Sequence, residues 1–427
     1  MVSVAEPGLS TEGQHPFAEG ATDDSSRPRS PLNTRELFQW PQRVAAALDP
    51  AELCRLRSIL LSDVVVFSDY SGYGSEREAL TCVLRAICQH YGWHLEKDPF
   101  IYARSCDIGQ LPQQVLQALA ESSGVKSRPC LFADVVEHCA PQAVSWLRAG
   151  VPAEDCSMDE AVKAYNTIME WLLANRSWVF PLDGKQACLV HKKACPVCPM
   201  AGWAARVQHL RDLQGAQKRK RDEAFLHDQA KAEAVEDAGS ANLATTVPAE
   251  ACETTAEGNG EHLAFDRPLS VCFAGVSCDG WSVMGSQKRF AHHSELPHNV
   301  FVAERVARAE QGVEDVCFVE CTAKYPCEQK LKLSQPMAGS HHVLHFRCNP
   351  LSFGFPVSRP RVFAACLNLR SVVWVGPKDW EQDFANKFYS SCAVSGDALL
   401  VSTPEERASV YREMAQLQKN YWGCSLP

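Results

Sequence analysis

The hydrophobic positions of this chain follow two alternating spacings, one typical of buried strands and one typical of amphipathic helices. Residues 63–74 form an apolar run that ends in glycines, and residues 75–92 repeat apolar positions at helical spacing behind a serine cap. The alternation continues with a strand at 100–109, a helix at 111–124 and a strand at 129–138. This βαβαβ order predicts a parallel sheet.

The same alternation resumes in the second half of the chain. It predicts a strand at 269–278, a helix at 296–312 and a strand at 315–322. Two further strands, at 341–350 and 361–369, are close enough in sequence to pair. We therefore expect one α/β sheet that is interrupted in sequence and continuous in space.

Polar and low-complexity segments divide the chain around these elements. Residues 1–32 and 214–262 carry few large apolar side chains and are predicted to be disordered. The remaining ranges are the first part of the sheet domain at 33–150, an insertion with a helix and a Cys/His cluster at 151–213, the second part of the sheet domain at 263–370, and a mostly helical extension at 371–427.

Composition and charge narrow the classes of protein. The 427 residues are 46% apolar and hold 20 cysteines, without a leader pattern or a long apolar run, so we expect an intracellular protein with reduced thiols and no membrane span. The net charge is −9, and the whole excess of acidic residues lies before residue 261. This charge does not favour a nucleic-acid partner, but it does not exclude one. The basic run Lys218–Arg221 favours the nucleus over the cytoplasm.

Small and acidic residues follow each of the first three predicted strands. Glycines between a strand and a helix let a ligand approach backbone amides, and carboxylates at neighbouring strand ends can meet a ribose and a base edge. The alternative is a tight turn chosen only for its backbone angles. The candidate residues for a nucleoside cofactor are Asp69, Ser71, Gly72, Gly74, Asp107 and Asp134.

A thiol, a carboxylate and two guanidinium groups are expected at the same sheet edge. Cys278 ends the fourth predicted strand, Glu320 lies near the end of the fifth, and Arg359 and Arg361 are two apart on an extended segment. Together they could act as nucleophile, proton partner and oxygen clamp. The alternative for Cys278 is a buried small hydrophobic residue.

In this order, the segments DYSGYG, VSCDGWSVMG, VECT and FGFPVSRPR resemble the motifs of the cytosine-C5 methyltransferase family. The resemblance covers roughly residues 63–138 and 268–368. It implies a Rossmann-like methyltransferase fold, S-adenosylmethionine as cofactor, and DNA or RNA as substrate. It also implies that Cys278 attacks C6 of a flipped cytosine, Glu320 holds N3 and the exocyclic amine, and Arg361 contacts the base oxygen.

Four positions depart from the family pattern: Ser277, Asp279, Cys321 and Val357. Asp279 places a negative charge beside the thiol, which disfavours the thiolate. No large target-recognition region is recognisable after Arg361, so base-specific recognition of duplex DNA is not expected. Two alternatives stay open: a catalytically inactive relative that acts as a binding or scaffold protein, and a zinc-stabilised interaction protein.

The insertion carries a compact cluster of metal-ligand residue types. Cys188, His191, Cys195 and Cys198 follow a C-x2-H-x3-C-x2-C pattern, and each pair has a spacing suited to one tetrahedral zinc ion. The separation between the two pairs is short, so a single ion requires a tight loop. The alternative is a set of reduced surface cysteines.

Overall fold

The structure is a computed structural model that describes residues 30–95, 97–122, 128–153, 155–201, 267–282, 285–327 and 336–396, with Thr403, Glu405 and Arg412. Three predictions fall wholly or mostly outside these residues: the linker at 214–262, the basic run Lys218–Arg221 and the disordered N-terminus at 1–32. Within the described residues, no helix is both long and apolar enough to cross a membrane. Two compact units are distinguished: residues 40–349 with 359–376, and residues 1–39 with 350–358 and 377–427.

Nine strands are described in chain order: β1 Val64–Asp69, β2 Phe100–Cys106, β3 Cys130–Phe132, β4 Lys185–Ala187, β5 Ala194–Pro196, β6 Leu269–Gly275, β7 Val316–Thr322, β8 His341–Cys348 and β9 Arg361–Asn368. Seven of them form one sheet in the order β3-β2-β1-β6-β7-β9-β8. In this sheet β9 pairs antiparallel with both β7 and β8, the other described pairs are parallel, and β4 and β5 form a separate hairpin. The predicted α/β class with a Rossmann-like sheet is confirmed, because strands from both halves of the chain pair in one mostly parallel sheet.

The helices described are α1 Thr34–Leu37, α2 Trp40–Ala46, α3 Pro50–Leu61, α4 Ser75–Tyr91, α5 Gln110–Ser122, α6 Pro141–Ala149, α7 Met158–Val179, α8 Glu295–Glu310 and α9 Trp380–Phe388. The helix of the insertion, α7, begins with a capping box in which Ser157 and Glu160 satisfy each other's backbone N–H groups. The predicted strand at 129–138 is shorter than expected. Asp134 accepts the N–H of Val136 and starts a 3₁₀ turn, so β3 ends at Phe132.

Cysteines supply part of the core between the strands. Cys272, Cys317 and Cys366 lie side by side on β6, β7 and β9, and all three are fully buried. Every cysteine in the described part of the chain is a free thiol. The expected reduced cysteines therefore act here as small hydrophobic residues that fill the sheet.

Candidate active site at the carboxyl edge of the sheet

The turn after β1 is held in a left-handed backbone conformation and fastened to β2. Tyr70, Gly72 and Gly74 have φ angles of 54°, 52° and 71°. The N–H of Gly72 donates to the Asp107 carboxylate at 2.7 Å, and the buried hydroxyl of Ser71 bonds to the carbonyl oxygen of Cys106. The predicted glycine turn therefore forms where expected, and the Ser71 side chain serves to join two strands.

The two predicted carboxylates at the ends of β2 and β3 lie around this turn. The second oxygen of Asp107 accepts the N–H of Gly109 at 2.8 Å. Burial raises the pKa of Tyr70 well above its usual range, and the charges of Asp69 and Asp134 add to this effect. The Tyr70 hydroxyl is buried without a hydrogen-bond partner among the described residues. A Cβ added at Gly72 would meet no atom within 4 Å, so the turn is open at that point.

The predicted set of cofactor-binding residues needs one correction: the Asp69 side chain is completely buried. Its carboxylate pairs with the Arg104 guanidinium at 2.7 Å and lies 3.5 Å from Arg305. Asp69 therefore pairs with arginines inside the core and offers no exposed atom to a ligand.

The core ion pairs around Asp69 continue into α8. Arg305 contacts Glu304 at 2.7 Å and Glu314 at 2.6 Å, and His138 contacts Glu304 at 3.0 Å. Burial alone would raise the pKa of Glu304, but Arg305, His138 and Arg104 hold it well below its usual range. This network joins β1, β2 and α8, and the sequence pattern gave no sign of it.

Cys278 lies in a tight turn that leaves β6. Its carbonyl oxygen accepts the N–H groups of Trp281 at 2.9 Å and Ser282 at 2.6 Å. A Cβ added at Gly280 would lie 2.9 Å from the His292 Cβ, and one added at Gly285 would overlap the carbonyl of Asp279. The glycines of the predicted motif are therefore required by close packing, and the Cys278 thiol is half-buried in the turn they allow.

Glu320 and Arg361 meet at the ends of neighbouring strands, as predicted. Thr322 pairs with Arg361 across β7 and β9, and the Arg361 Nε lies 2.7 Å from the Glu320 carboxylate. Gly275 is the residue opposite Glu320 on β6, and a Cβ added there would come within 3.7 Å of the carboxylate. The missing side chain at Gly275 leaves room beside the acid.

Cys321 links this ion pair to the Cys278 turn. Its thiol donates to the carbonyl oxygens of Val276 at 3.6 Å and Ser277 at 3.9 Å. Burial raises the pKa of Cys321 to about 12, and the charges of Cys278 and Glu320 add to the effect. Cys321 is thus adjacent to Glu320 in sequence and bonded to the residue that precedes Cys278.

The Arg359 side chain does not share this environment. Arg359 is exposed and is fixed by its backbone N–H, which donates to the Asn349 side chain at 3.0 Å. Val357 is 42% exposed and belongs to the other compact unit. Of the two predicted arginines, only Arg361 is brought to the carboxylate.

The cluster of metal-ligand residue types contains three of the four predicted residues, and Cys130 takes the place of Cys198. The sulfur and nitrogen atoms of Cys130, Cys188, His191 and Cys195 all lie within 4.8 Å of one another. Cys198 is not part of this group, because the chain after β5 runs onto β2, where Arg104 donates to the carbonyl of Val197 and Cys198 packs with Val65. Cys130, on β3, was missed because no spacing in the sequence connects it to the insertion.

Comparison with known proteins adds little to this geometry. No protein-family model matches the sequence, and no curated protein matches it. Among solved structures, the chain is similar to an E. coli protein described as a DNA modification methyltransferase encoded within a prophage, with 9% identity over 73% of this chain and 49% of that chain and a TM-score of 0.29. This chain spans about half the length of that protein. A similarity at this level carries no argument about function.

Proposed function

We propose that this chain is an S-adenosylmethionine-dependent methyltransferase that modifies C5 of cytosine in DNA or RNA through a covalent adduct at Cys278. The observation that carries the proposal is the 2.7 Å pair of Glu320 and Arg361 beside the Cys278 turn. The position of Cys321 also supports it, because this residue is adjacent to Glu320 in β7 and its thiol donates to the carbonyl oxygen of Ser277, the residue before Cys278.

The turn after β1 fits the nucleoside cofactor that this reaction needs. Gly72 is open, Asp107 and Asp134 end the neighbouring strands, and the buried Tyr70 hydroxyl is left for a ligand atom. When bound, S-adenosylmethionine supplies the methyl group. Asp107 keeps the turn in shape through the N–H of Gly72 and retains lone pairs for a ribose hydroxyl.

The chain's own residues would carry the covalent steps. The Cys278 thiolate adds to C6 of a flipped cytosine, and the ring electron pair shifts toward C5 while Glu320 holds N3 and the exocyclic amine. After C5 is methylated, its proton leaves to solvent, and the electron pair expels the sulfur as thiolate. Arg361 positions Glu320 through Nε, and its guanidinium has further N–H groups suited to the base oxygen.

A second candidate is a catalytically inactive methyltransferase-like protein that binds its ligands without reaction. The observation that favours it is a hydrogen bond between the two residues that flank Cys278 in the sequence. The Ser277 hydroxyl donates to the Asp279 carboxylate at 3.3 Å. Asp279 is also one of the four positions at which the chain departs from the family pattern.

The test combines cofactor binding with adduct trapping. We expect S-adenosylhomocysteine to bind in calorimetry, and Gly72→Leu to abolish binding while Gly92→Leu retains it, since both glycines have positive φ and open surroundings. Oligonucleotides with 5-fluorocytosine should trap an adduct that Cys278→Ser loses. Glu320→Gln should slow trapping by roughly 10²–10⁴-fold.

The two readouts separate the candidates. Cofactor binding without any adduct on DNA or RNA would support the inactive protein. No cofactor binding, or binding that Gly72→Leu leaves unchanged, would exclude the proposed site.

A further inference from the structure

We propose that Cys130, Cys188, His191 and Cys195 bind one structural zinc ion that fastens the insertion hairpin to β3 of the main sheet. The proposal is independent of the proposed function. It places one ligand in the sheet itself, a position that the Cys/His spacing of the insertion does not include.

The distances in the cluster match a tetrahedral ion. The His191 Nδ1 lies 3.6 Å from the sulfur of Cys130 and 3.4 Å from the sulfurs of Cys188 and Cys195. With Zn–S near 2.3 Å and Zn–N near 2.0–2.1 Å, a tetrahedral angle separates sulfur and nitrogen by roughly 3.6 Å. The distances from this nitrogen to the three sulfurs therefore match the separation of two ligand atoms that bind the same tetrahedral zinc ion.

The local backbone is shaped to present these ligands. Cys188 follows β4, and Cys195 lies in β5, so the hairpin brings both sulfurs to one end. Lys192 has a φ of 53°, and its N–H donates to the carbonyl of Cys188 at 2.9 Å. This left-handed turn is the tight loop that a single ion requires between the two halves of the motif.

Groups around the ligands favour a bound thiolate. The N–H groups of Leu131 and His191 both point to the sulfur of Cys188 at 3.4 Å, and such bonds stabilise negative charge on sulfur. The N–H of Leu189 donates to the carbonyl of Leu131 at 2.8 Å, which aligns the hairpin with β3. Three thiolates and an imidazole suit Zn²⁺ better than hard cations.

An access route reaches the ion site from solvent. A depression of about 370 Å³ is bordered by Cys130, His191 and Cys195 and by the basic side chains of Lys185 and Lys193. These cations offset the net negative charge of a Zn²⁺ ion with three thiolates. A chelator can enter by the same route.

The decisive experiment compares Cys130 with Cys198 in the full-length protein. Protein expressed with zinc and purified with a phosphine reductant should hold one zinc per chain by elemental analysis. Cys130→Ser and Cys195→Ser should weaken zinc retention against a chelator by more than the roughly 10–100-fold that loss of an outer-shell partner costs. Cys198→Ser should retain one zinc per chain.

Cobalt substitution keeps the proposal testable if a ligand variant does not fold. The wild-type protein should show the intense visible bands of tetrahedral cobalt and a thiolate charge-transfer band, and Cys198→Ser should leave that band unchanged. A wild-type protein without bound metal, a loss of zinc in Cys198→Ser, or a charge-transfer band reduced by this substitution would overturn the proposal.

Discussion

Asp69 and Glu320 are two carboxylates of the same sheet that each pair with an arginine at 2.7 Å. Asp69 and Arg104 have side-chain exposures of 0% and 2%, whereas Glu320 and Arg361 have exposures of 35% and 19%. The first pair lies among further buried charges, and the second lies beside a glycine and a half-buried thiol. The same chemical pair therefore serves the core in one place and an accessible edge in the other, and burial decides which.

The largest effect should come from removing the buried carboxylate. Asp69→Ala leaves Arg104 buried without its main partner, and breaking a buried pair in this way costs about 3–5 kcal/mol of unfolding free energy. Glu320→Ala is the matched control and should cost about 0–1 kcal/mol, because solvent screens its partly exposed pair. Urea unfolding of both variants measures the difference, and equal losses would contradict the comparison.

A buried histidine should make the unfolding free energy depend on pH, with an effect smaller than that of Asp69→Ala. His341, in β8, is buried, and burial together with the charge of Arg305 lowers its pKa from 6.5 to about 4. The folded state disfavours the proton that the unfolded chain binds below about pH 6.5, so stability falls as the pH falls toward 4. Between pH 7 and pH 5 the loss is about 2 kcal/mol.

His341→Gln isolates this contribution. The variant should lose less stability than the parent over the same pH range, as measured by urea unfolding at each pH. Glu304, whose pKa is lowered, also loses its stabilising contribution on acidification, but only below its ordinary value near 4.5, and this loss occurs in both proteins. Parallel curves for the two proteins would show that His341 does not titrate as expected.

The contrast also explains what the sequence could predict. Apolar runs and glycine breaks located the strands, and the carboxyl ends of parallel strands must share an edge, so Glu320 and the Cys278 turn were expected near each other. Arg361 was expected there together with Arg359, because the two are two apart on an extended segment, and of the two only Arg361 pairs with Glu320. These relations follow from local pattern and topology.

Two features depended on contacts that no local pattern contains. Asp69 is buried because Arg104, on β2, reaches it from the neighbouring strand, and an acid after an apolar run has the same appearance whether it faces a core arginine or solvent. Cys130 joins the Cys/His cluster because the hairpin docks on β3, 58 positions before Cys188. Spacing rules apply within a segment and cannot register such docking.

The comparison of buried and accessible groups also applies to two thiols six positions apart, Cys272 and Cys278. Their substitution should change stability least, and their reactivities should differ. Cys272 is fully buried in β6, and burial raises its pKa well above the usual range, whereas Cys278 is half-buried in the turn outside the sheet. Iodoacetamide labelling of the native protein should modify Cys278 faster than Cys272, because the reagent attacks thiolates and burial both shields the Cys272 thiol from solvent and raises its pKa. Exposed Cys54 and Cys392 serve as positive controls in the same digest.

Substitution separates reactivity from packing at these two positions. Cys278→Ser should remove the label from this segment and change the unfolding free energy by less than about 1 kcal/mol, since the site is partly open. Cys272→Ser should keep the label on Cys278 and destabilise the protein more, because it places a hydroxyl in a fully buried apolar position. If Cys278 resists labelling as strongly as Cys272, the turn packs its thiol as a hydrophobic residue, and the covalent mechanism proposed for this edge is wrong.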